Sequence, residues 1–295
     1  MADVDELYAV RNNFLVGNFQ VAIDECSATP PLSQQKTIEM KVFLYRARLA
    51  LGDAQGVIAD INEAPMALEA VKYLAAFMLQ PGKREACLGK VLQSLEDELT
   101  ANNGSLRMVG GIMHAELKQY TEALSVLKGP GATTPEHAAL RIQILLKMNR
   151  LDVAQRELAE LTNSSDDDAV VTQLAQGWVY AAMGGSKCEE ASYIFQELMD
   201  KFDPTVMLMN SLAVCKLHME QYPEADELLQ SALEENPDDV DTIVNSIVVG
   251  RHMNKPEEEV RDLLAKLAQK DPNNIFLAEW KEAAANFDSL AATFK

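Results

Sequence analysis

The chain has 295 residues, with 26 lysines and arginines against 45 aspartates and glutamates, and a formal charge of −19. Nucleic-acid binding and polybasic membrane anchoring both depend on basic side chains meeting phosphates, so an acidic chain excludes them. Apolar residues at 48% and charged residues at 24% describe a folded soluble protein, and the low counts of 14 glycines and 11 prolines favour helices over a turn-rich β-sandwich.

In chain order, Met1-Ala2-Asp3-Val4-Asp5-Glu6 is acidic and lacks the basic segment of a secretory leader. Gly17-Asn18-Phe19-Gln20-Val21-Ala22 reads as a corner between two helices, and Ala28-Thr29-Pro30-Pro31 as a loop. Further corners fall at Gly52-Asp53-Ala54-Gln55-Gly56-Val57 and at Pro81-Gly82-Lys83-Arg84-Glu85-Ala86. A small residue follows each later corner at Ala123, Ala154, Ala191 and Ala225, in steps of 31, 37 and 34 residues. Gly129-Pro130-Gly131 is a loop, and the run 163–168 (NSSDDD) is an N-cap and acidic first turn for a helix from Ala169. The most apolar stretch, Val170 to Met183, is broken by Thr172, Gln173 and Gln176 and falls short of the roughly 20 residues that span a bilayer. Met183-Gly184-Gly185-Ser186-Lys187 lacks the spacing of a phosphate loop and reads as a glycine helix stop.

The clearest unit is Val206 to Asp239. Leu208, Leu212 and Leu217 mark its first helix, residues 220–225 its corner, and Leu228, Leu229, Ala232 and Leu233 its second helix, with Asn236-Pro237 as the stop. Asp241 to Asn274 repeats the plan, with a corner at Asn254-Lys255-Pro256. After Pro272, Phe276, Trp280, Ala284, Phe287 and Phe294 recur at helical spacing, which predicts a capping helix over 273–295. The expectation is an all-α solenoid, one array over residues 1–295, of about eight helix pairs plus that cap.

The units resemble the tetratricopeptide repeat (TPR), most closely at Leu212, Ala213, Tyr222, Ala225, Ala232 and Pro237. Small residues allow the paired helices to approach within about 8–10 Å, and proline ends a repeat because it cannot continue a helix interior. TPR register implies a concave partner-binding groove lined by the first helix of each pair. Its members are Met207, Asn210, Val214, Leu217 and His218, then Thr242, Asn245, Val249, His252 and Met253, with Gln143, Leu146, Gln173, Gln176 and Tyr180 from earlier repeats. TPR co-chaperones clamp a peptide carboxylate with amide and basic groups. Asn210 and Asn245 fit two of those slots, whereas Val214, Thr242 and Ser246 do not supply the rest. A half-apolar groove suits a lasting partner segment better.

No catalytic constellation, cofactor motif or metal helix stands out. Cys26, Cys87, Cys188 and Cys215 form no CxxC pair and read as buried thiols, and His114, His137, His218 and His252 are scattered. The whole chain resembles the coatomer epsilon-subunit family of the COPI vesicle coat. The resemblance is carried by the runs 4–7 (VDEL), 17–20 (GNFQ), 42–47 (VFLYRA), 142–147 (IQILLK), 150–154 (RLDVA), 193–197 (YIFQE), 203–205 (DPT) and 286–290 (NFDSL). It implies a non-enzymatic scaffold without cofactor, whose TPR array curls around a C-terminal segment of the coatomer alpha subunit. It also implies a cytoplasmic protein, peripheral on Golgi membranes and coated vesicles, that supports Golgi-to-ER retrograde and intra-Golgi transport. The alternative is a TPR adaptor reading a short peptide tail.

Overall fold

The computed structural model describes residues 5–30, 32–62, 64–164 and 169–294. Among them the regular structure is entirely helical. The helices are α1 (Tyr8–Val16), α2 (Phe19–Ala28), α3 (Gln34–Ala50), α4 (Ala54–Asp60), α5 (Met66–Leu79), α6 (Arg84–Glu96), α7 (Gly104–Glu116), α8 (Tyr120–Val126) and α9 (Pro135–Lys147). They continue as α10 (Leu151–Ser164), α11 (Val170–Met183), α12 (Ser186–Phe202), α13 (Val206–His218), α14 (Tyr222–Glu235), α15 (Val240–His252), α16 (Glu257–Lys270) and α17 (Ile275–Thr293). Within each compact unit successive helices pack on one another in the manner of a TPR-like solenoid. Every corner named from sequence joins two helices, including those before residue 100.

The hairpins share one local device. After the first helix, the chain turns through a left-handed residue at Gly17, Gly52, Lys118, Asn149, Gly184, Glu220 and Asn254, with φ between 53° and 91°. That conformation frees the last carbonyls to accept bonds from the corner N–H groups. The exception is α5–α6, where Pro81–Lys83 forms a short 3-10 turn instead. Many helix starts carry a side-chain cap: Ser33, Asp53, Asn103, Thr205, Asp239 and Asn274 each accept from a backbone N–H of the first turn. The acidic run at 165–168 lies outside the described residues.

The chain divides into two compact units, Met1–Met183 and Gly184–Lys295, with the boundary between α11 and α12 at the consecutive positive-φ glycines Gly184 and Gly185. In the first unit one apolar core runs from Leu49 to Met113, and a second joins Ala139, Ile142, Leu145, Ala154 and Val179. Helix α1 packs on α2 and α3 and also on α11, so this unit closes on itself. Leu15 of α1 lies against the second core, and Arg46 of α3 pairs with Glu136 of α9 at 2.5 Å while stacking over Phe14. In the second unit, Ala213, Ala225 and Ala232 are fully buried between α13 and α14, which is the close approach their size predicts. Tyr222 stands at the α13–α14 corner and stacks on His252 with ring centroids 4.6 Å apart.

Helix α17 covers the last hairpin only through its start. Phe276, Leu277 and Trp280 pack on Ile243, Ile247, Val260 and Leu267. Residues 281–290 are all exposed, so Ala284, Phe287 and Phe294 do not serve the cap that their spacing suggests.

Candidate partner-binding groove

The predicted groove residues do not share one fate. Met207, Val214 and Leu217 of α13 are half-buried, and His218 is exposed at its end. Val214 is partly covered, and Leu217 leans on Ala213, Ala225, Leu229 and Val249. On α15, Asn245 is half-buried and His252 and Met253 are exposed, but Thr242 and Val249 are fully buried. Thr242 and Val249 therefore fill the space between helices and line no surface.

The cause is a register slip. Counting from Pro237 to Pro272 gives a step of 35 residues, yet α13 begins at Val206 and α15 at Val240, 34 residues on. The extra residue sits in the next corner, since α14 and α16 begin at Tyr222 and Glu257. A one-residue error turns a side chain by about 100° around the axis. The accessible counterparts of Met207, Ser211 and Val214 are Asp241, Asn245 and Val248, of which sequence reasoning missed Ser211, Asp241 and Val248. The start-to-start distance between first helices was the signal that could have found them.

The two asparagines are tied to each other. Asn210 Nδ2 donates to Thr242 Oγ1 at 2.5 Å, Asn245 Nδ2 donates to Asn210 Oδ1 at 3.0 Å, and the Thr242 hydroxyl donates to Asp239 Oδ2 at 2.6 Å. This ladder ties α13 to α15, and with a further bond to Val206 O it uses both Nδ2 hydrogens of Asn210, which a carboxylate clamp would need. Beside it, Lys255 Nζ donates to both oxygens of the buried Asp226 at 2.6 Å.

In the first unit Gln143, Leu146, Gln173, Gln176 and Tyr180 are all half-buried on α9 and α11. Their cover comes from the chain itself, because α1 packs on α11 and Leu15 joins the core that Leu146 and Tyr180 border. Gln176 Nε2 donates to the Tyr180 hydroxyl at 3.1 Å, while Gln173 Oε1 is buried with no hydrogen-bond partner among the described residues. An orphaned acceptor of that kind costs about 1–3 kcal/mol and is relieved by an incoming donor.

All four cysteines are buried; desolvation raises the thiol of Cys26 to about 11 and that of Cys215 to about 12, away from the reactive thiolate. Among the described residues no cluster of histidine, cysteine or acid could hold a metal ion, and no helix is long and apolar enough to cross a membrane.

Comparison with known proteins sets this geometry in a family. The family model described as coatomer epsilon subunit matches residues 3–295. Coatomer subunit epsilon-1 of Arabidopsis thaliana is 35% identical over 295 residues, covering 100% of this chain and 99% of the relative. Coatomer subunit epsilon-1 of Oryza sativa subsp. japonica is 36% identical over 98% of each chain, and coatomer subunit epsilon of Caenorhabditis elegans 30% identical over 98% of each. Among solved structures, a chain of the APC/C hetero-tetramer Cut9–Hcn1 superposes with a TM-score of 0.64 at 14% identity, covering 96% of this chain and 57% of that one. A tetratricopeptide repeat protein from Parabacteroides merdae gives 0.56 at 12% identity, covering 93% and 95%. At such identities these two speak for the fold alone.

Proposed function

Since the chain belongs to the coatomer epsilon-subunit family and is a component of the COPI coat, we propose that it acts there as a non-enzymatic brace for a C-terminal segment of the coatomer alpha subunit. The segment lies along the inward faces of the first helices, against Met207, Val214, Asn245 and Val248. In doing so it buries apolar surface and is ordered, and the folded state gains stability by mass action. The protein itself stays on the cytoplasmic face, peripheral on Golgi membranes, and supports retrograde and intra-Golgi transport without touching lipid or performing catalysis. The observation that carries this is the pair of half-buried valines, Val214 and Val248, which stand at matching positions on α13 and α15 and give the inward faces an apolar character.

The alternative of a clamp for a peptide carboxylate loses ground, because Asn210 and Asn245 are already bonded to each other.

Leu217 is a poor probe of the groove, since an aspartate there also injures the α13–α14 core. Val214→Asp and Val248→Asp are cleaner. Together they are expected to weaken copurification of the alpha subunit by at least tenfold with the circular-dichroism spectrum unchanged, because an unpaired carboxylate in a dry interface costs several kcal/mol. Undiminished, stoichiometric recovery of the alpha subunit with this variant contradicts the groove.

A further inference from the structure

We propose that the exposed half of α17 is a second docking surface, taking an amphipathic helix from another protein whose apolar face is bordered by lysines or arginines. At about 100° per residue, Phe276, Trp280, Ala283, Ala284, Phe287, Leu290, Ala291 and Phe294 fall on one face of α17. The face begins inside the protein, where Phe276 and Trp280 pack on the last hairpin and the Arg251 guanidinium lies 5.1 Å above the Trp280 ring. It then runs into solvent, with Phe287 71%, Leu290 61% and Phe294 87% exposed. Among the described residues no second helix packs on it to complete a ninth hairpin. A helical stretch of this length draws little stability from its own hydrogen bonds and is ordinarily held by a partner on its apolar side.

The composition of the stripe specifies the occupant. Ala283, Ala284 and Ala291 leave a shallow floor on which another helix can approach within about 8–10 Å, and Phe287, Leu290 and Phe294 supply knobs beside it. The borders carry Glu279 on one side and Asp288 with Lys281 on the other, acidic on balance. A second copy of a chain charged −19 is repelled from such a surface, whereas a helix with basic edges is drawn to it. The surface shares no residue with the groove positions Met207, Val214, Asn245 and Val248.

The test uses the full-length chain, free and within the assembled coat complex. Backbone hydrogen exchange over residues 281–294 is expected to slow at least tenfold on assembly. A zero-length carbodiimide reagent is expected to join Asp288 or Glu279 to a lysine of another subunit. Phe287→Asp with Leu290→Asp should abolish both effects while the alpha subunit still copurifies, and Ser289→Asp on the opposite face should abolish neither. Equal exchange in the free and assembled protein overturns the proposal. So does protection in the free chain that grows with its concentration, since the occupant is then a second copy.

Discussion

Arg107 is a buried cation whose hydrogen bonds all run to backbone carbonyls: Pro130 O from Nε, Val126 O from one terminal nitrogen at 3.2 Å, and Ala101 O from the other at 2.9 Å. It ties the 100–103 and 127–131 turns to α7, and Gly129 has no room for a side chain because a Cβ there would stand 1.9 Å from the guanidinium. Desolvation pulls its pKa down, but the carbonyls hold the charge in place. Arg107→Met should cost on the order of 3 kcal/mol in urea unfolding, because it strands three acceptors; a loss under 1 kcal/mol removes it from that role. His137 seals the same turns, with Nε2 to Gly104 O at 2.9 Å and Nδ1 to the Thr134 hydroxyl at 2.6 Å. Burial is the main cause that pushes its pKa below 6.5, reinforced by Arg141 and Arg46 and opposed by the Gly104 carbonyl and Glu136. The folded state therefore refuses a proton that the unfolded chain accepts. Stability present above pH 6.5 is lost as the pH falls below it, and His137→Gln should flatten that acid slope. A slope of equal steepness in the variant assigns the acid sensitivity elsewhere. Neither residue was legible as a tie in the sequence, because both act on backbone groups that only the folded turn brings within reach.

The hairpins were legible because their corners announce themselves in glycine, proline and asparagine, and because small residues recur where helices must touch. What composition did not reveal is the left-handed residue common to seven corners, since Lys118 and Glu220 hold it with side chains that disfavour it. Glu220→Gly should relieve that strain and, after the extra entropy of the unfolded chain, stabilise the second unit by about 0.5–1 kcal/mol in thermal unfolding. A destabilised variant would mean that the glutamate side chain, and not the turn, matters there. The groove was legible by half. On α13 the predicted Asn210 is buried, and on α15 a TPR register stepped by 35 residues placed Thr242 and Val249 inward on the groove, whereas the helices start 34 residues apart and both residues fall in the core. In α17 the periodicity was right and the burial was not, because a period tells which face is apolar and is silent on what covers it.

Each unit follows from hairpins that cannot bury their own apolar faces and stack to do so. Within Met1–Met183 the stacking returns on itself through α1 against α11 and Arg46 against Glu136, so part of the inward surface is occupied by the chain. The Arg46–Glu136 pair alone spans 90 residues, and no local pattern encodes it. Within Gly184–Lys295, Val214 of α13 and Val248 of α15 are half-buried. Family membership accounts for a coat component, and the proposed groove is the part of that account open to direct test. Placing a photoactivatable benzoylphenylalanine at position 248, in coatomer assembled with the full-length chain, tests this most directly. The expected product is a single crosslink whose partner peptide maps to the C-terminal region of the alpha subunit. Crosslinks confined to this chain, or scattered over other subunits, contradict it.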